Sequence, residues 1–160
     1  MYAQISETEI KAAYIERFTR FIEWPTSTEN NATKKSFKIT VLGDNTFGSS
    51  LDNLFKDLKV KELPVILKYT RNYTEVLGSD IVIICNSERK KLQEILQFIG
   101  SEPMLIISDS EGFAQMGTCI NMYIDGNNIR YEINQKTIKK SGLNVSSLLL
   151  ASAKIINADD

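Results

Sequence analysis

Residues 81–107 read IVIICNSERKKLQEILQFIGSEPMLII, and the order of signals in this stretch decides the fold. Ile81 to Cys85 is an apolar run without a polar interruption, the pattern of a strand buried on both faces. Ser87 follows as a helix N-cap, and Leu92, Ile95, Leu96 and Ile99 recur at the three- and four-residue spacing of one helix face. Gly100 ends that helix, glycine being the residue that most readily takes left-handed geometry past a C-terminus. Met104 to Ile107 is a second buried strand. Strand, helix and strand, with both strands wholly apolar, make a parallel βαβ unit.

The same rhythm extends upstream. Phe37 to Leu42 reads as a strand, Gly43-Asp44-Asn45 as its turn, and Phe47 to Leu58 as a helix with Leu51, Leu54, Phe55 and Leu58 on one face. Leu63 to Tyr69 is a strand, and Tyr73 to Leu77 a short helical piece. Before these, Glu7 to Ile22 carries Ile10, Ala13, Tyr14, Phe18, Phe21 and Ile22 as a helical stripe. Ser6 caps that helix with Glu9 as its capping-box partner, and Trp24-Pro25 stops it. Thr26 to Ser36 is rich in Ser, Thr, Asn and Lys and reads as a surface loop.

Downstream the pattern changes. Cys119 to Ile124 and Ile129 to Ile133 flank the turn-rich Asp125-Gly126-Asn127-Asn128, which predicts a β-hairpin. Asn134 to Lys140 is helical up to Gly142, and a last helix starts near Ser146 and buries Leu148, Leu149 and Ile155 or Ile156. The whole predicts an α/β, Rossmann-like three-layer sandwich: a mainly parallel sheet with a C-terminal β-hairpin and flanking helices, in one domain spanning residues 1–160.

Composition narrows the chemistry. The chain of 160 residues has 19 basic and 20 acidic residues, and its basic clusters (Lys34-Lys35, Arg89-Lys90-Lys91, Lys139-Lys140) lie far apart in sequence, which argues against nucleic acid as a partner. It has no histidine. A Ser–His or Cys–His nucleophile is therefore impossible within this chain, and the commonest metal ligand is missing. The two cysteines, Cys85 and Cys119, have no CxxC spacing, so neither a metal nor another cofactor is expected. No stretch has the roughly 18 consecutive apolar residues of a membrane helix. Met1-Tyr2-Ala3-Gln4 fits a start from which an export signal has been trimmed, and equally a native cytosolic one.

The remaining candidate sites are loops. Gly43-Asp44-Asn45-Thr46-Phe47-Gly48 joins a strand to a helix, but Ser49-Ser50 stands where a P-loop needs Lys and Ser or Thr. It reads either as a tight βα turn or as one wall of a small-ligand crevice at the carboxyl ends of the strands. Ser108-Asp109-Ser110-Glu111-Gly112 and Asn86-Ser87-Glu88 follow buried strands in the same way and read either as caps and turns or as the rest of that rim. The candidate ligand-binding residues are Gly43, Asp44, Phe47, Gly48, Ser108 and Asp109; Asp44 and Asp109 are the carboxylates the rim would offer an acid–base mechanism. Around the hairpin, Tyr123, Ile124, Gly126 and Asn127 are candidate partner contacts, with burial in the hairpin core as the competing reading. A free hairpin edge would also let two copies pair. Asn31-Ala32-Thr33, Asn72-Tyr73-Thr74 and Asn144-Val145-Ser146 match a glycosylation sequon and are read as chance.

Three blocks carry a resemblance. The first is Lys11-Ala12-Ala13-Tyr14 running on to Phe18-Thr19-Arg20-Phe21-Ile22-Glu23-Trp24-Pro25; the second is Ile39-Thr40-Val41-Leu42-Gly43-Asp44 with Phe47-Gly48. The third runs from Ile107-Ser108-Asp109 through Gly112-Phe113-Ala114, Gly117 and Ile120-Asn121 to Arg130-Tyr131-Glu132-Ile133-Asn134. It continues through Ser141-Gly142-Leu143 and Val145-Ser146-Ser147-Leu148-Leu149. In order and spacing these blocks resemble the YfiR-like family from about Glu9 to Ile156. The resemblance implies an exported, periplasmic, non-enzymatic regulator. In the best-known members it represses a membrane-anchored diguanylate cyclase by binding the periplasmic sensor part, lowering cyclic-di-GMP output and biofilm formation. Similar domains serve other signalling proteins, so the resemblance leaves the partner open. Regulatory members carry two disulfides; this chain retains one cysteine of each pair, at Cys85 and Cys119, which puts redox control in doubt and favours two free thiols over a Cys85–Cys119 bridge.

Overall fold

A computed structural model of the chain describes residues 5–25 and 34–157. Its centre is the apolar run of the sequence: Ile81–Ile84 forms a strand with every side chain buried, and Leu105–Ser108 lies parallel beside it with the same full burial. In chain order the elements are α1 (Glu7–Phe21), β1 (Ile22–Glu23), β2 (Phe37–Leu42), α2 (Ser50–Phe55), β3 (Lys59–Val60) and β4 (Leu63–Thr70). They continue with β5 (Ile81–Ile84), α3 (Leu92–Ile99), β6 (Leu105–Ser108), α4 (Phe113–Met116), β7 (Ile120–Asp125) and β8 (Asn128–Asn134). The last are α5 (Gln135–Ser141), β9 (Asn144–Val145), α6 (Ser147–Ala151) and β10 (Lys154–Ile156). Short 3-10 segments occupy Tyr73–Val76 and Asn86–Lys91.

Eight strands form one sheet in the order β10-β8-β7-β6-β5-β2-β4-β3, with antiparallel pairs only at β7–β8 and β3–β4. Side-chain parity separates the two faces. Tyr131 of β8 packs edge-on against Phe18 of α1 at 5.1 Å, whereas Asn134, three residues on, donates to the Ala114 carbonyl of α4. An odd step along a strand reverses the face, so α1 and α4 cover opposite sides. α2 and α6 join α1; α3 joins α4 through Gln93, whose Nε2 donates to the Met116 carbonyl. This is the expected sandwich of a mainly parallel sheet, a hairpin and flanking helices. β1 and β9 form a separate two-stranded ribbon pairing Ile22 with Val145.

Several expectations are corrected. Ser6 caps α1, its Oγ accepting from the Glu9 N–H, but the buried face is Lys11, Ala12, Ile15, Phe18 and Thr19, while Ile10 and Ala13 are exposed. Lys11 is not part of the apolar stripe read from the sequence; its stem lies inward because its ammonium meets the Asp109 carboxylate. Ser87 lies inside the 3-10 segment and caps no helix: its hydroxyl accepts from the Asp44 N–H at 2.8 Å. The helix expected over Phe47–Leu58 is confined to α2. Ile155 and Ile156 belong to a strand, β10, parallel to β8, and Leu148 is exposed, so α6 buries Leu149 alone of the expected set. Of the predicted loop Thr26–Ser36, residues 26–33, with the Asn31 sequon, lie outside the described residues, as do Met1 to Gln4.

Candidate functional site

β2 pairs with β4 on one side and β5 on the other. The chain therefore winds outward in both directions from the β2–β5 boundary, leaving a crevice beyond the carboxyl ends of those strands. A cleft of about 380 Å³ occupies this end, lined by Thr46 and Phe47 after β2, Asn86 after β5, Asp109, Ser110 and Glu111 after β6, and Glu7, Thr8 and Lys11 from α1.

Each wall has a local cause. The turn after β2 is held by Asn45, whose Oδ1 accepts from the Phe47 N–H at 2.9 Å and whose Nδ2 donates to the Gly48 carbonyl at 3.0 Å. Gly43 has φ +109, and a Cβ there would sit 2.6 Å from Ser87 Oγ. Glycine is therefore required both for backbone geometry and for the close approach of the next loop. On the opposite wall Lys11 Nζ meets Asp109 Oδ2 at 2.9 Å, with side-chain exposures of 11% and 16%; Glu7 Oε2 lies 3.8 Å from the same ammonium. Each of these two largely buried side chains thus has its counter-ion in direct contact, the arrangement that offsets the cost of taking a charge out of water.

The rim residues predicted from sequence are thus partly brought together. Phe47 and Asp109 line the cleft; Gly43 shapes the turn behind it. Asp44 is not a wall: its Oδ1 takes an exposed ion pair from Arg71 Nη2 at 2.8 Å. Gly48 contributes a turn with φ +57, and Ser108 is wholly buried beneath the loop. Asp44 and Asp109 do not face each other across the cleft: Asp44 is paired with Arg71 outside it, and Asp109 pairs with Lys11. Beside the cleft, burial, helped by the nearby Asp109 charge, pushes the Cys85 thiol up to about 11. Burial alone pushes Cys119 up to about 12. Both cysteines are free, and in this protonated state neither is a nucleophile near neutral pH. Among the described residues no group of three or more His, Cys, Asp or Glu is placed to hold a metal ion.

A buried polar network under the rim went unpredicted. Asn121 Oδ1 accepts from Ser108 Oγ at 2.7 Å and from the Ser110 N–H at 3.0 Å, while its Nδ2 donates to Glu132 Oε1 at 3.1 Å. The single Ser108 proton goes to Asn121, so Thr118 Oγ1, 2.8 Å away, donates to Ser108. Asn121 thereby fixes the start of the Asp109 loop against the hairpin. Its signal was present: a two-residue turn pairing Asp125 with Asn128 puts Asn121 opposite Glu132, two polar residues facing each other inside apolar strands. Lys11 gave no comparable signal, because its partner is 98 residues away.

The hairpin makes a second surface. β7 leaves β6 after Asn121, and β10 pairs with β8 only from Glu132 on. Residues 122–125 and 128–131 therefore pair with each other alone and project as an arm past the sheet. Gly126 turns it with φ +64. Of the predicted partner contacts, Ile124 is 57% exposed, Tyr123 is half-buried, and Gly126 and Asn127 form the exposed tip, so Ile124 is not hairpin core. Between the arm and α1 runs a groove of about 540 Å³ lined by Ile10, Tyr14, Arg17, Asn127 and Ile129 among others. Tyr14 anchors the arm by donating to the Ile129 carbonyl at 3.1 Å.

Comparison with known proteins follows the same lines. A sequence model of the YfiR/HmsC-like family matches residues 8–154. Among solved structures, the chain is similar to a conserved domain protein from Vibrio cholerae, with TM-score 0.58 and 11% identity over 96% of this chain and 61% of that one. It is also similar to an ABC domain from Streptococcus pneumonia solved in complex with L-Trp, with TM-score 0.55 and 12% identity over 75% of this chain and 55% of that one. The chain thus spans less than two thirds of either structure, and at such identities the likeness is one of fold. No protein of curated function matches it.

Proposed function

This chain belongs to the YfiR/HmsC-like family, a regulatory and not a catalytic one, and we propose that it is a periplasmic binding protein that restrains a membrane-anchored signalling protein. A diguanylate cyclase with a periplasmic sensor region is the target this reading favours, which would place the chain in cyclic-di-GMP and biofilm control. The observation that supports the reading is the projecting arm, a ribbon anchored on α1 that holds Ile124 57% exposed near its tip, where a protein partner would cover it. A regulator needs no catalytic group, only better binding to one state of its target than to another. No helix among the described residues is long and apolar enough to cross a membrane.

The test is co-purification from the native organism, with tagged wild-type chain and an Ile124→Glu variant as baits and membranes gently solubilised. The wild-type bait is expected to enrich an inner-membrane protein with a periplasmic sensor region, and the variant to lose it while keeping its melting temperature. Failure to enrich any membrane protein over an unrelated periplasmic bait would overturn the reading.

A second reading, small-ligand sensing, is favoured by the cleft at the topological switch point, where Lys11 and Asp109 present opposite charges beside Phe47. A ligand bound only by the folded chain would raise its melting temperature. Loss of that rise in Asp109→Asn, with none lost in Arg71→Ala, would place the ligand in the cleft.

A further inference from the structure

The face of the sheet opposite α1 carries a groove that neither functional reading uses. It has a volume of about 390 Å³ and runs between α3 and α5, with Leu96, Ile106 and Met116 as its apolar floor and Lys136, Lys140 and Gln97 among its polar residues. Its walls are tied together on both sides of α4. Gln93 Nε2 donates to the Met116 carbonyl at 3.1 Å and so joins α3 to α4. Asn134 Nδ2 donates to the Ala114 carbonyl at 2.8 Å while its Oδ1 accepts from the Thr137 N–H, which joins α5 to α4. Gly117 keeps the floor open: its φ is +130, and a Cβ there would stand 3.0 Å from Leu96 Cδ1. A preformed slot of this size, apolar below and polar at the rim, is the usual form of a small-molecule site. The charges along it are one-sided. No carboxylate lines the groove, and among the described residues neither Lys136 nor Lys140 has an ion pair or hydrogen bond. The two stand four residues apart on α5, a like-charge spacing that destabilises a helix. The helix dipole favours Lys140 in the last turn but opposes Lys136, the second residue of the first turn. No described residue offsets the Lys136 charge, whereas an anion seated between the two lysines would.

We propose that this groove binds a phosphomonoester on an apolar stem, with the phosphate between Lys136 and Lys140 and the stem along Leu96, Ile106 and Met116. A phosphomonoester carries close to two negative charges near neutral pH, which matches two ammoniums. Gln97 adds an amide on the α3 side that has no other partner among the described residues. The apolar floor calls for a stem and argues against inorganic phosphate alone. Two lysines are too few for the repeated phosphates of a nucleic acid. The same chemistry occurs in a free phosphate ester and in the head of an acidic phospholipid, two sources that the test separates. The groove shares no lining residue with the switch-point cleft, and it does not depend on the membrane partner proposed above.

The probe is decyl phosphate below its micelle concentration, titrated by calorimetry and followed by amide and methyl NMR shifts. Saturable binding is expected, with the shifts gathered at Leu96, Ile106, Met116 and Gly117. Decanol and inorganic phosphate should bind far more weakly, since each lacks one half of the ligand. Lys136→Gln/Lys140→Gln should raise the Kd by roughly 2- to 30-fold, the range of two partly exposed charge contacts. Thr137→Trp keeps the backbone N–H that Asn134 caps and should abolish binding by filling the slot. Lys56→Gln/Lys59→Gln makes the same charge change towards the far edge of the sheet, at β3, and should leave binding unaltered. Co-sedimentation with phosphatidylcholine vesicles, with and without phosphatidic acid, separates the sources. Retention by phosphatidic acid that is lost in Lys136→Gln/Lys140→Gln assigns the phosphate to a lipid head; no retention alongside decyl phosphate binding assigns it to a free ester. Absence of decyl phosphate binding overturns the proposal, as does binding that ignores the two lysines or shifts centred elsewhere.

Discussion

Replacing Asn121 by aspartate isolates the polar network beneath the rim. Asn121 is 1% exposed and gives an N–H to Glu132 Oε1 at 3.1 Å. In Asn121→Asp that donor becomes a second carboxylate oxygen. Two full charges at that distance would repel by about 5 kcal/mol with an effective dielectric near 20. Taking up one proton costs less: from an unfolded pKa near 4, holding it at pH 7 takes about 4 kcal/mol. Proton uptake therefore wins, and the pair shares one proton through an O–H···O bond while Ser108 and Ser110 keep their acceptor. The sign follows directly. The folded pKa of the pair is raised above its unfolded value, so stability is present at low pH and lost as pH rises through that raised value. Relative to wild type the variant should be less stable by about 4 kcal/mol at pH 7 and by only about 1.4 kcal/mol at pH 5. Urea melts of both proteins at the two pH values measure this. Asn121→Leu serves as the comparison, because it strands the Ser110 N–H, the Ser108 hydroxyl and Glu132 Oε1 without adding a second carboxylate, and its deficit should change less with pH than that of Asn121→Asp. A deficit for Asn121→Asp that is flat between pH 5 and 7 would refute the contact on which the argument stands.

Two further outcomes follow from the rim. Lys11→Met leaves Asp109 without its cation and should destabilise by about 2 kcal/mol, below the 3–5 kcal/mol of a fully buried pair because both side chains keep some water; the Lys11→Met/Asp109→Asn double variant should recover part of that loss, and strict additivity in thermal or urea melts would deny the coupling. The Cys85 and Cys119 thiols, raised from an ordinary 9.0 to about 11 and about 12 mainly by burial, should resist a disulfide reagent at pH 8 in the native protein and react at once in denaturant. Because both folded values lie above the unfolded ones, their contribution to stability is intact below about pH 9 and declines as pH rises toward 11–12. Native labelling of Cys85 at the rate of a free thiol would contradict its burial.

The layered sheet was legible because burial on both faces leaves a one-dimensional trace: Ile81–Ile84 and Leu105–Ser108 are apolar or small at every position, and Gly100 and Gly142 mark their helix ends by a backbone need that side chains seldom meet. The hairpin was legible for the same kind of reason, since Gly126 takes a conformation that its sequence neighbours advertise. The loops that line the cleft were placed at one rim by the parallel topology alone. Which residues finish that rim was another matter. Lys11 stood outside the apolar stripe of its helix, and only the packing of α1 over the strand ends reveals that its ammonium meets Asp109, a residue with no local relation to it. Ser87 looked like a cap and became the acceptor for the Asp44 N–H, because two loops distant in sequence approach where Gly43 has no side chain. Ile155 and Ile156 fitted a helix face and lie in a strand, since a parallel partner, β8, offered them paired backbone groups. Periodicity and turn chemistry are local and survive in the sequence; the partner of a charge, a hydroxyl or a strand edge is set by distance in space, and only the tertiary structure decides it.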